Sequence, residues 1–156
     1  LSDITLDKQQ VNLSIMLAQI SYEFMPLYRE KNLECVNEIE DNLIVSIDIN
    51  QFERVFDNLI RNAINYSDKD SKINISAKKE NDHIIIKLSN SVNFVDKNKL
   101  NHIFEPFVRL DESRSSKTGG SGLGLAITKK IIELHHGTIR ADLNNKLIIF
   151  TVKLPL

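Results

Sequence analysis

The sequence is short of several things, and each shortage excludes a class of protein. One cysteine, Cys35, stands among 156 residues. A disulfide framework is therefore excluded, and a reducing compartment is the simple expectation; a single free cysteine is ordinarily core or strand filling. No apolar run approaches the ~20 residues a helix needs to span a bilayer, and no signal peptide is visible. Neither sign of charge is in excess: 20 basic and 21 acidic residues leave a formal net charge of −1. That gives no footprint for nucleic acid or a membrane surface as the main partner. Glycine is scarce too. There are five in the chain, and four of them (Gly119, Gly120, Gly122, Gly124) crowd into one short stretch, with Gly137 the fifth. What remains, a 42% hydrophobic chain of this length, suits one compact domain with a real core. It opens on Leu1 rather than Met, which reads as a fragment of something longer.

Hydrophobic spacing gives the order of elements. Leu13, Met16, Leu17, Ile20, Phe24 and Leu27 recur at helical spacing, with Pro26 expected to kink or end the helix. Two strands follow, a poor one over 33–39 and a well-alternating one on Leu43, Val45, Ile47 and Ile49. Phe52, Val55, Phe56, Leu59, Ile60, Ala63 and Ile64 form the clearest helical stripe. After a loop at 67–72, strands are expected on Ile73, Ile75 and Ala77 and on Ile84, Ile86 and Leu88. From Ser89 to Gly122 the pattern breaks down, with one short helical piece near 100–103. So long an irregular stretch is usually functional or disordered. A helix over 123–135 follows, closed by Gly137 as its C-cap, with His135 and His136 at an end where a charged imidazole complements the dipole. Two last strands use Ile139 and Ala141, then Ile148, Phe150, Val152 and Leu154. The fold class is α+β, a two-layer sandwich with helices packed on one face of a mixed sheet.

Three segments carry chemistry. Glycines opening a helix suit phosphate, because bare backbone N–H groups approach the anion at the positive end of the helix dipole. The spacing fits neither a dinucleotide fingerprint nor a P-loop, which needs Lys where Leu125 stands, so a phosphate mouth and a flexible hinge both stay open. In "FERVFDNLIRNAINYS", Asn58, Asn62 and Asn65 recur at i, i+4 and i+7 and share one face. Asparagine is a poor interior helix former, and an amide oxygen is a ligand for Mg²⁺ that also keeps substrate phosphates in its shell. In "NHIFEPFVRLDESR", Phe104 and Phe107 are placed to anchor a mobile flap, and Arg109 offers a fork of donors to phosphate.

Together these segments resemble the catalytic ATP-binding domain of sensor histidine kinases, the Bergerat (GHKL) fold. "NLIRNAINYS" is similar to the family's N box, "IFEPFVR" to its F box and "GGSGLGLAI" to its G2 box, in the family's order. The stretch "RLDESRSSKTGGSGLGLAI" is similar to the sensors that control vancomycin resistance. The resemblance implies the site residue by residue. Asn62 matches the Mg²⁺-ligating asparagine, and Asn58 the asparagine one turn earlier beside phosphates and metal. Tyr66 matches the aromatic against adenine, and Arg109 the F-box arginine on phosphate. Gly120, Gly122 and Gly124 match the glycines that admit the phosphates. Phe107, Asn65 and Asn90, with Leu123 and Leu125 at the start of the following helix, complete the nucleotide-binding set. Asn58 and Arg109 are the residues expected to act on the transferring group. ATP and Mg²⁺ are the implied cofactors.

Two departures from the family stand out. Asn65 replaces a lysine that reaches a phosphate. In the G1 box, "NSVNF", Asn90 replaces the aspartate that accepts from the adenine amino group, and Val92 and Phe94 replace two glycines. Their side chains are expected to narrow the adenine pocket, so ATP binding is expected to be retained but not tight. Related ATPases use a Glu as general base where Asn58 stands, and an amide takes no proton at neutral pH. Phosphoryl transfer to a protein acceptor is therefore favoured over hydrolysis. None of His83, His102, His135 and His136 lies in the family's acceptor motif. Residues 1–10 read as the tail of a linker from absent phosphoacceptor helices, and 11–156 as the catalytic domain. The implied partners are the parent's own phosphoacceptor domain and a response regulator, in a homodimeric, membrane-anchored parent whose kinase domain is cytoplasmic and does not itself touch the membrane. Two alternatives stay open: a degenerate nucleotide-binding module with little catalysis, and a serine kinase of the same fold.

Overall fold

The computed structural model describes residues 4–108 and 124–156. Strand β1 (Lys8–Asn12) leads directly into helix α1 (Leu13–Glu23), whose N-terminus is capped by Asn12, the Oδ1 accepting the Ile15 N–H at 3.2 Å. The helical run breaks at Phe24, and a second short helix, α2, covers Met25–Glu30. Pro26 does not kink one continuous helix. It sits in the first turn of α2, where a missing N–H costs nothing. Strand β2 (Glu34–Ile39), β3 (Ile44–Asp48), helix α3 (Ile49–Tyr66), and the hairpin of β4 (Lys72–Glu80) and β5 (His83–Ser91) follow. Helix α4 (Lys97–Leu100), α5 (Gly124–Leu134) and the hairpin of β6 (Thr138–Asn144) and β7 (Leu147–Pro155) complete the described chain.

The strands form two sheets. A five-stranded sheet runs β2-β4-β5-β7-β6, with β2 parallel to β4 and every other pair antiparallel. This is the expected mixed sheet. β1 and β3 stand apart as an antiparallel ribbon, Lys8 opposite Asp48 and Asn12 opposite Ile44. Its first strand begins inside the stretch read as a connecting tail, so ordered structure reaches back at least to Lys8. The core lies between the main sheet and α3: Ile73, Ile75, Ile84, Ile86 and Leu88 meet Phe52, Val55, Phe56, Leu59 and Ile60, all buried. β5 runs on to Ser91, past the point where the sequence pattern fails. The alternation continues there in polar letters, Ser89 and Ser91 half-buried and Asn90 inward, so hydropathy alone does not register it.

The end of α5 differs from expectation in two ways. The left-handed residue is His136 (φ 64°), not Gly137. The Gly137 N–H then returns to Ile132 O at 2.9 Å, and the His136 N–H to Glu133 O at 2.9 Å, a wrapped C-terminus of the Schellman kind. Gly137 is needed for space: a Cβ there would lie 2.6 Å from Lys153 O. His135 is not a charged, solvated helix-end residue either. It is buried, its Nε2 accepts the Asp48 N–H at 3.0 Å and its Nδ1 faces Ile131 O at 2.8 Å. An amide N–H only donates and a carbonyl only accepts, so the ring is neutral with its proton on Nδ1. Burial pushes its basicity below the ordinary histidine value, with Lys8 and His136 adding to the effect.

Candidate functional site

α3 is the rail on which the site is built, and both of its ends are fixed. At the start, Asp48 is the N-cap, Oδ1 accepting from Gln51 N–H at 3.1 Å and Oδ2 from Asp7 N–H at 2.9 Å. Burial raises the carboxyl's pKa, but the N–H donors of Asp7, Gln51 and Asn50 and the neighbouring His135 together outweigh it and hold the carboxyl below its ordinary value. At the far end, Lys31 donates to Ile64 O (2.7 Å), Asn65 O (3.1 Å) and Ser67 O (2.8 Å). One ammonium thus satisfies three carbonyls that the helix leaves over. Burial lowers the Lys31 pKa, and Asp68 opposes this.

Between these ends Asn58, Asn62, Asn65 and Tyr66 are half-buried along the flank of the apolar stripe. Asn58 and Tyr66 are ~12 Å apart along the axis. Asn58 Nδ2 reaches across to α5, 3.3 Å from Gly124 O and 3.3 Å from Thr128 Oγ1. Leu125 is buried behind it. At the other end, the Asp68 N–H donates to Ser91 O at 3.0 Å, which draws the C-terminus of α3 to the end of β5. Asn90 lies there, 2% exposed, opposite Ile73 on one side and Ile148 on the other. Asn58 thus meets Gly124 midway along α3, and the C-terminal end of α3, which carries Tyr66, is tied to the end of β5 that carries Asn90.

The two altered glycine positions are placed differently. Val92 turns into the core, 5% exposed, with its N–H donated to Lys146 O at 2.8 Å. Phe94 stands in solvent at 84% exposure. Of the two phenylalanines expected to anchor a flap, only Phe104 packs, edge-on to Phe150 with centroids 6.0 Å apart. Phe107 is exposed with φ 69°, a conformation a bulky side chain rarely adopts. Arg109, Gly120, Gly122 and Leu123 lie outside the described residues.

A cleft of about 580 Å³ opens beside Asn58 and Gly124, with Glu53 and Asp57 on α3 and Ile20 and Ile127 from the flanking helices. Asp57 is paired outward with Arg61 at 3.2 Å. No group of three acidic, histidine or cysteine side chains among the described residues is placed to hold a metal ion. The donor set on α3 is neutral amide, which fits a hard cation that arrives with its own anionic phosphates rather than one caged by protein carboxylates. Sequence reasoning missed Lys31, Asp48, Thr128 and His135. Two signals were present: Asp48 and Gln51 have capping-box spacing, and Thr128 is a polar residue in the buried stripe Leu125, Thr128, Ile131, Ile132.

Comparison with known proteins gives the same picture. Residues 47–156 match the family described as histidine kinase-, DNA gyrase B-, and HSP90-like ATPase. The chain is 43% identical over 155 residues to the sensor protein VanSC of Enterococcus gallinarum and 43% identical to VanS of Enterococcus faecium. Each alignment takes in 99% of this chain but only 43% and 40% of those proteins. The chain thus spans about two fifths of the length of these relatives. Among solved structures, the catalytic domain of histidine kinase ThkA superposes with a TM-score of 0.84 at 26% identity, covering 96% of both chains. The chain therefore belongs to the histidine kinase-, DNA gyrase B-, and HSP90-like ATPase family, and within it is a histidine protein kinase catalytic domain similar to those of the vancomycin-resistance sensors.

Proposed function

We propose that this domain binds Mg²⁺–ATP along α3 and transfers the γ-phosphoryl group to a histidine on a separate phosphoacceptor domain, from which a response regulator takes it. One observation carries the reading: a face of asparagines ends at the mouth of α5 on one side and at the buried amide of Asn90 on the other. Asn90 and Tyr66 hold the base, and Asn65 lies between base and phosphates. Asn58, Asn62 and Gly124 receive the phosphates, with Arg109, Gly120 and Gly122 carried over from the family pattern. Bound Mg²⁺, held through Asn62, would neutralise charge on the phosphates.

The residues do no covalent chemistry. The bond from the γ-phosphorus to the bridging oxygen breaks and a bond to the acceptor imidazole Nε2 forms, so positioning and charge supply the catalysis. The residue one turn before Asn62 offers no base to water, since the Asn58 amide cannot take a proton. The cleft beside Asn58 and Gly124 gives an acceptor side chain its approach. The ThkA kinase has been solved with a response regulator, TrrA, which supports the same class of partner here. The parent is read as a membrane-anchored homodimer with this domain on the cytoplasmic side; among the described residues no helix is long and apolar enough to cross a membrane.

The test is calorimetric titration of a non-hydrolysable ATP analogue with Mg²⁺ into the chain and into Asn62→Ala, then incubation of the wild type with labelled ATP and a separately made phosphoacceptor domain. Binding by the wild type, its loss in N62A and label on histidine are expected. No heat at millimolar analogue sinks the reading; binding without label marks a degenerate module, and label on serine a serine kinase.

A further inference from the structure

Thr128 is 0% exposed, and its hydroxyl sits in an otherwise apolar stripe of α5. Its partner is Asn58, whose Nδ2 lies 3.3 Å from Thr128 Oγ1 and 3.3 Å from Gly124 O. Chemistry fixes which way this amide faces. The Gly124 carbonyl can only accept, so the atom of Asn58 that bonds to α5 is the nitrogen and not the oxygen. Two acceptors then engage the two amide protons. Oδ1 is left as the side chain's remaining polar atom, at the mouth of α5, 3.6 Å from where a Cβ on Gly124 would stand.

We infer that Thr128 is a positioning residue for the phosphate–metal end of the site: by accepting from Asn58 Nδ2 it locks the amide with Oδ1 toward the Mg²⁺–phosphate group. The inference rests on the proposed nucleotide reading and deepens it. Without the hydroxyl, Asn58 keeps only the Gly124 carbonyl and one amide proton loses its partner, so the amide is held less firmly. The unpaired donor itself costs some stability, so a role in binding is read from the Mg²⁺ dependence and not from stability. Groups that orient a ligating side chain are worth ~10–100-fold in metal affinity or activity when removed.

The test compares wild type, Thr128→Val and Thr128→Ser by titration with a non-hydrolysable ATP analogue, once in saturating Mg²⁺ and once in EDTA, beside urea unfolding of each. In T128V the Mg²⁺-dependent gain in affinity is expected to fall about tenfold, with affinity in EDTA unchanged and the unfolding midpoint lowered modestly by the one lost hydrogen bond. T128S restores the gain. An unchanged Mg²⁺-dependent gain in T128V overturns the inference while leaving the nucleotide reading intact. An equal loss with and without Mg²⁺ overturns it too, because Thr128 is then a packing residue. If the wild type itself fails to bind, the nucleotide reading falls first and this inference with it.

Discussion

Gly137→Ala is a test of how tightly α5 is seated on the sheet. A Cβ at position 137 would lie 2.6 Å from Lys153 O, 3.0 Å from Ile132 Cγ2 and 3.0 Å from Leu154 Cδ2, against an ordinary separation of about 3.5–4.0 Å. The side chains of Ile132 and Leu154 can rotate, but the carbonyl cannot. Lys153 lies on β7, paired with Ile85 of β5 on one side and Thr138 of β6 on the other, so relief means moving a strand with neighbours on both edges. Overpacking costs about 1–3 kcal/mol, and a fixed backbone oxygen puts this case near 3. For a domain of this size that lowers Tm by roughly 6–12 °C. Gly124→Ala is the control: among the described residues the nearest atom to its added Cβ is 3.6 Å away, on Asn58, and alanine's helix propensity is worth up to ~1 kcal/mol. Thermal and urea unfolding followed by circular dichroism compare the three proteins. A G137A protein within about 0.5 kcal/mol of wild type would refute the argument that α5 meets β7 backbone to backbone.

Two further predictions concern the ends of α3. His135 is held neutral in the fold with its pKa lowered from the ordinary 6.5, while the unfolded chain takes up that proton below about 6.5. Stability is thus expected to fall as pH drops from 7.5 through 6.5 toward 5, by at most about 1.4 kcal/mol per pH unit from this group; urea midpoints across that range, flattened in His135→Gln, check it. Lys31→Met leaves the carbonyls of Ile64, Asn65 and Ser67 without their shared donor. It is expected to cost about 2 kcal/mol in urea unfolding, with Lys31→Arg recovering part of the loss; equal stability of K31M and wild type would show the cap to be idle.

The fold was legible wherever one face of an element is apolar. The stripe from Phe52 to Ile64 and the alternations on β4, β5 and β7 give the existence and type of those elements, with α3, β4 and β5 each running two or three residues further than the apolar pattern. It was illegible where polar letters occupy structural positions. Asn90 continues β5 inward between two serines, and Lys8–Asn12 pairs with β3 through backbone with little apolar signal. The functional pattern was legible because its residue types recur at fixed spacing on one helix, and Asn58 does meet Gly124. What the spacing could not give is which polar groups touch across elements. Lys31 reaches carbonyls more than thirty residues away, and His135 an amide 87 residues away; neither has a local signature.

The two described glycines that began as one observation come apart physically. Gly137 is needed by the fold itself, because a carbonyl occupies the place of its side chain. Gly124 is not: its φ is an ordinary one and among the described residues its Cβ has room. Yet that Cβ would lie 3.6 Å from both Cγ and Oδ1 of Asn58, in contact with the amide proposed to face the phosphates. A methyl there leaves the chain stable but takes up space at the point where phosphate would approach that oxygen. Gly124→Ala is therefore expected to unfold at or above the wild-type midpoint while losing most of its affinity for Mg²⁺–ATP analogue, by tenfold or more if one ~1.4 kcal/mol contact is forfeited. G137A shows the opposite order, with unfolding affected first and binding, where folded, retained. A G124A protein that binds as tightly as wild type would mean that the phosphates do not pass beside Asn58, and the assignment of that end of α3 would have to be given up.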